Sequence, residues 1–132
     1  DLREFYKNVD EVIVAEVIEE LDTEYLNLGE IDEILFCLPY SKYFIKVKDV
    51  IKGDIKEEYI VLAQDGGLSY DGKYYVLAEN DKLLNKGNEY LLFIFNQPDG
   101  SYLISGENSN IQINEKSRFY DIDSIKQYFD EK

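Results

Sequence analysis

The sequence predicts a mainly β fold, a small barrel of about five or six strands flanked by short N-terminal and C-terminal helices. Three observations carry that reading. Residues 43–53 (YFIKVKDVIKG) set apolar Tyr43, Ile45 and Val47 against Phe44, Lys46 and Lys48, the alternation of a half-buried strand, and end at a Lys-Gly turn. Residues 84–95 (LNKGNEYLLFIF) pass a second Lys-Gly turn and then stay apolar on both faces over 90–95, as a central strand does. The composition, with 12 Tyr and 7 Phe but no Trp or Met, adds residues that favour pleated, half-buried surfaces.

Each element follows in order. Residues 1–8 place Leu2, Phe5 and Tyr6 at the spacing of one or two helical turns. Within 12–18, Ile13, Ala15 and Val17 share one face of a first strand, with Val12 and Val14 partly covered on the other. Residues 20–42 are acidic and then apolar at Ile31, Ile34, Leu35 and Leu38, a helical spacing cut off by Pro39. A short helix or an ordered loop is expected there. A second strand covers 43–51 and turns at Lys52-Gly53-Asp54, where glycine accepts a positive φ. A third, 58–63, is expected to stop at Asp65-Gly66-Gly67, and Asp71-Gly72 reads as the two-residue link of a type I′ hairpin. After the central strand, 89–95, the chain turns at Pro98-Asp99-Gly100, returns over 102–105 and runs extended again over 111–114. Asp121 or Asp123 caps a closing helix with Ile122, Ile125, Tyr128 and Phe129 on one side. Short strands between Gly-rich turns, with helices only at the margins, suit a Greek-key OB-type barrel forming one domain over residues 1–132.

Charge narrows the partners. Twenty-eight acidic against 14 basic residues leave a net charge of −14, whereas a nucleic-acid surface needs Lys and Arg to displace counterions, so no nucleic-acid partner is expected. The densest basic group, Lys42, Lys46, Lys48 and Lys52, has the spacing of a solvated strand face. Such acidity also repels anionic lipid headgroups, and no apolar run approaches the ~20 residues that span a bilayer. Because the sequence starts at Asp1 without Met, an N-terminal segment removed by processing or by the choice of expressed chain is expected, with a cleaved targeting segment as the reading it hints at and a lost lipid anchor as another.

Catalytic chemistry finds few groups to use. Without histidine, neither a Ser/His/Asp nor a Cys/His arrangement can be assembled. Cys37 is the only cysteine, which excludes an internal disulfide framework, and within 34–38 (ILFCL) it reads as a small buried hydrophobe. An acid–base mechanism would rest on carboxylates such as Glu19, Glu20, Asp22 and Glu24, or Asp121 and Asp123, whose spacing selects no pair. Asp121 and Asp123 also form a fragment of a calcium loop, but no closing Glu follows and helix capping is the simpler role. The Asp-Gly turns lack the strand-to-helix setting of a phosphate loop. No catalytic, cofactor-binding or metal-ligating residue is assigned, no cofactor is expected, and the binding residues are left unassigned. Tyr70, Tyr74 and Tyr75 are the candidate partner contacts if exposed, with packing of their hairpin as the other reading, and exposed Tyr128 and Phe129 would mark a helix that docks on a partner.

One set of motifs occurs in a recognisable order. Residues 9–17 carry Asp10 ahead of Ile13 and Val14, Val50 leads to Lys52-Gly53, Gly66-Gly67 follows, and Leu84, Gly87 and Tyr90 precede Leu91-Leu92-Phe93. Over roughly residues 2–114 the chain resembles a bacterial member of the netrin-like, or tissue-inhibitor-of-metalloproteinases-like, OB-fold group. The resemblance implies a secreted or lipid-anchored protein at the cell surface or outside the cell, acting as a non-enzymatic binding module for a protein or glycan. A structural or accessory domain of a surface assembly is the alternative, and a carboxylate-dependent hydrolase a weaker one. Metalloprotease inhibition in that group relies on an N-terminal cysteine whose amino group and carbonyl coordinate the metal, clamped by disulfides. Here Asp1 stands in that position and no disulfide can form, so that activity is not carried over.

Overall fold

The computed structural model of the chain describes residues 2–130. In chain order a short helix α1 (Leu2–Asn8) leads into β1 (Glu11–Ile31) and β2 (Ile34–Lys52). Then come β3 (Tyr59–Leu68), β4 (Tyr75–Leu77), β5 (Glu89–Asn96), β6 (Tyr102–Ile104), a 3₁₀ turn (Glu107–Ser109), β7 (Asn110–Gln112) and α2 (Ile122–Asp130). The fold is mainly β. Its strands pair in the order β1-β2-β3-β6-β5, and β1 also pairs with β5, so five of them form a closed ring, with β4 added to β3 and β7 to β5. The pairing of β3 with β6, from Leu62↔Tyr102 to Gln64↔Ile104, is parallel, and the others are antiparallel.

Alternation along the strands decides what fills the ring. Ile13, Ala15 and Val17 of β1 join Tyr43 and Ile45 of β2, Leu62 of β3 and Leu92 and Ile94 of β5 in one buried cluster. The outward side of β1 and β5 is equally dry, because Val12, Val14, Leu91 and Phe93 pack with Leu2, Phe119 and Ile125 in a second cluster. Val12 and Val14 are therefore fully buried at 0% and 1% exposure rather than partly covered, since both helices lie over their face. Each such side chain contributes about 1.5–3 kcal/mol through burial.

Lys52 fastens the helix to the sheet, and Glu11 holds the turn that follows Lys52. Lys52 Nζ donates to the carbonyls of Tyr6 and Val9, both at 2.7 Å, supplying partners that the end of α1 otherwise lacks. It is thus not part of a solvated lysine row, whereas Lys42, Lys46 and Lys48 pair with Glu24, Glu58 and the Glu16–Glu89 couple. Beside it, Glu11 is only 2% exposed, and its Oε1 accepts from the amides of Asp54 (2.8 Å) and Ile55 (3.1 Å). Gly53, at φ 104°, passes so close to this carboxylate that a Cβ would collide with it. At the other end of the chain the expected cap is Asp121, whose Oδ1 accepts from Ser124 N at 2.7 Å.

Several expectations change. Residues 20–42 hold no helix but two strand segments joined by a two-residue turn at Asp32-Glu33. Gly66-Gly67 does not end β3, which runs on to Leu68. A Cβ on Gly66 would lie 2.9 Å from the Val76 carbonyl oxygen and one on Gly67 2.6 Å from Ser41 Oγ, so the glycines here permit close passage of a neighbouring backbone and side chain rather than a stop. Asp71-Gly72 is not a two-residue I′ link, because Gly72 alone of the pair has positive φ and the connection spans residues 69–74. Its shape comes from Ser69, whose hydroxyl donates to Asp71 Oδ1 at 2.6 Å and whose amide donates to Tyr74 O at 2.7 Å. The same hydroxyl and the Lys73 amide hold the Asp71 carboxyl below the usual carboxylate range.

Candidate functional site

Beyond Glu16, β1 parts from β5 and keeps β2 as its partner, while β2 before Tyr40 pairs with β1 alone. Residues 20–31 and 34–39 thereby form a two-stranded arm standing off the ring. At its tip Asp32 and Glu33 take φ of 51° and 65°, so that Ile31 lies opposite Ile34. Left-handed backbone suits Asn-Gly in such a tight hairpin, and Asp or Glu adopts it at a cost of roughly 1 kcal/mol each. The supposed helical spacing of Ile31, Ile34, Leu35 and Leu38 is therefore folded back on itself around this turn. Pro39 is accommodated because its strand has a free outer edge in the arm, where a missing N–H interrupts no second ladder.

The register sorts the arm's two faces. Residues directly opposite one another share a face, and alternate residues along a strand return to it. Leu26↔Leu38 and Ile31↔Ile34 thus stand on one side with Phe36. Leu28, the residue left unpaired at the irregularity between Asn27 and Gly29, is exposed in the same stretch of β1. These six side chains are 37–65% exposed. The surface continues onto the ring, where Phe44 stacks on Tyr59 at 5.2 Å and Val61 is also exposed. An open cleft of about 400 Å³, lined by Leu26, Tyr40, Lys42, Ala63, Asp99 and Leu103 among others, lies at the junction. Contiguous apolar surface of this kind on a folded chain marks an interaction site.

A lone two-stranded hairpin is marginal in water, and this one is tied down at its base. Tyr25 donates its hydroxyl to Leu68 O at 2.8 Å and meets the Tyr70 ring edge-on at 5.2 Å. Ser41 Oγ donates to Gly66 O at 2.8 Å. Just below, Gln64 is wholly buried, accepting from the Tyr43 hydroxyl (3.1 Å) and Leu84 N (3.2 Å) while donating to Lys82 O (2.7 Å). Burial pushes the Tyr43 hydroxyl up to about 12.

The residues singled out from sequence fall in different places. Tyr70, Tyr74 and Tyr75 are exposed at 60–65% around the β3–β4 connection, near the base of the arm. Tyr128 and Phe129 are not a free docking face, since Phe129 stacks on Tyr6 at 4.5 Å and Tyr128 meets Phe119 edge-on at 5.2 Å. Cys37 is not buried in a core but half-buried on the arm, opposite Asn27. Of the carboxylates, Glu19 pairs with Lys86 at 3.0 Å, Glu24 with Lys42 at 3.5 Å, and Glu20 borders a cleft of about 410 Å³ beside Ser41 and Tyr43. Asp121 is occupied as a cap, and no cluster of three or more metal-capable residues occurs among the described residues. Asp1, which stands where the resembling family has its inhibitory cysteine, lies outside the described residues.

The arm's apolar face is what the sequence reading missed. Its signal was there, as Leu26 and Leu28 alternating ahead of Ile31 and Ile34 to Leu38 resuming two residues later, but the run also fits a helix. No protein-family model and no curated protein matches this chain.

Proposed function

We propose that the protein is a non-enzymatic binding module of the cell exterior, a netrin-like Greek-key OB-type barrel that engages a protein partner through its β1–β2 arm. The carrying observation is the apolar face formed by Leu26, Ile31, Ile34, Phe36 and Leu38, with exposed Leu28 in the same stretch, which has no cover within the described chain. Aliphatic side chains in a row favour a protein surface over a glycan, whose rings are better met by flat aromatic faces. The OB-type reading is supported by the ring order, in which the third strand pairs in parallel with the last while the first pairs with both its neighbours. The motif residues also have structural work consistent with that reading: Asp10 Oδ2 accepts from Asn96 N at 2.8 Å, and Lys52-Gly53 locks α1 and Glu11. The test is fractionation of the producing organism with the wild type beside a Phe36→Ser/Leu38→Ser variant. The wild type should leave the cytoplasm and elute within a heteromeric complex that the variant fails to enter. Two monomers, or a cytosolic product, would overturn the proposal.

A further inference from the structure

Resting on the arm as the contact, we infer that its partner presents an apolar groove with a cationic rim. From residue 8 to residue 41 the chain has no Lys or Arg, while Glu19, Glu20, Asp22, Glu24, Glu30, Asp32 and Glu33 fall on or beside the arm. Glu19 and Glu24 have ion-pair partners, whereas among the described residues no lysine or arginine comes within ion-pair range of Glu30, Asp32 or Glu33. The two carboxylates at the tip are also the two non-glycine arm residues held at positive φ, where Asn-Gly would be more stable. Strain kept by charged side chains at the end of an exposed apolar strip is accounted for when those charges meet something.

Charge decides between occupants. A second copy would bring another −14 and the same acidic tip against this one, and an anionic bilayer would be repelled as well. A groove rimmed by Lys or Arg receives both the aliphatic row and the flanking carboxylates, and it gains the steered association that complementary charge provides.

The experiment uses the full chain and two defined probes, amphipathic peptides of identical pattern built from Leu and Lys or from Leu and Glu, with binding read by fluorescence anisotropy. The Leu/Lys peptide should bind at least about tenfold more tightly. A Asp32→Asn/Glu33→Gly variant should lose most of that preference, while Glu79→Gln/Glu107→Gln, which removes the same charge from exposed sites elsewhere, should keep it. Binding of neither peptide, or equal losses in the two charge variants, overturns the cationic rim. If Ile34→Ser/Phe36→Ser abolishes binding but both peptides bind the wild type alike, the arm stands and the rim falls. If that apolar variant binds as the wild type does, the arm reading itself fails. Concentration-dependent dimers of the wild type that the apolar variant cannot form would replace the basic partner with a second copy.

Discussion

Leu26 and Leu38 face each other across the arm, and both remain open to solvent at 49% and 37%. A cross-strand pair of this kind contributes about 0.2–1 kcal/mol, against the several that a core residue supplies. The apolar tip is thus expected to matter little for folding. Leu28→Ser should shift the unfolding free energy by no more than ~0.5 kcal/mol, whereas Leu92→Ala, at a fully buried site, should cost about 2–5 kcal/mol. Urea denaturation of the two variants makes the comparison, and a Leu28 effect as large as that of Leu92 would place the arm in the core.

Glu11 carries the turn after β2. Glu11→Ala leaves the amides of Asp54 and Ile55 without their acceptor in a buried place, an expected loss of about 2–3 kcal/mol. Gly53→Ala should be comparably damaging, because its Cβ meets the same carboxylate and its φ is 104°. Combining them should recover part of the collision cost but none of the backbone strain. Additive losses in the double variant would contradict this coupling.

Lys52 should govern α1 in particular. Lys52→Met keeps the stem and removes the ammonium, so the carbonyls of Tyr6 and Val9 lose their donor, at a cost of about 1–2 kcal/mol. Amide exchange should accelerate in α1 while β5 changes only with global stability. Unaltered α1 exchange would mean that the Phe5 and Tyr6 ring contacts suffice to hold the helix.

Alkaline pH should weaken the fold through Tyr43. Its folded pKa, raised to about 12 by burial, exceeds the ordinary value of 10.0, so the folded state holds the proton more tightly. The contribution is complete below pH 10 and is lost as pH rises towards 12. Tyr43→Phe should flatten that part of the stability profile while leaving Gln64 its bond from Leu84 N. An unchanged slope between pH 10 and 12 would assign the effect to other groups.

The sheet was largely readable because its signals are two-sided. Tyr43, Ile45 and Val47 alternate against Phe44, Lys46 and Lys48, and β5 is apolar from Tyr90 to Phe95 because helices cover its outer face. The arm was not readable because one spacing served two structures. Ile31, Ile34, Leu35 and Leu38 satisfy a helical period, and only the unfavourable left-handed turn at Asp32-Glu33, which carries no Gly or Asn, separates the alternatives. Gly66-Gly67 misled for a related reason, since a glycine pair signals a turn as readily as it signals two backbones passing closely.

The most direct test of the arm as the contact is photo-crosslinking in cells that produce the protein, with benzoylphenylalanine placed at Phe36 and, as a control, at exposed Tyr120. The account predicts a discrete heterologous protein adduct at Phe36, absent at Tyr120 and lost when Ile34 is replaced by Ser. The same adducts at both positions, or adducts to the protein itself alone, would contradict it.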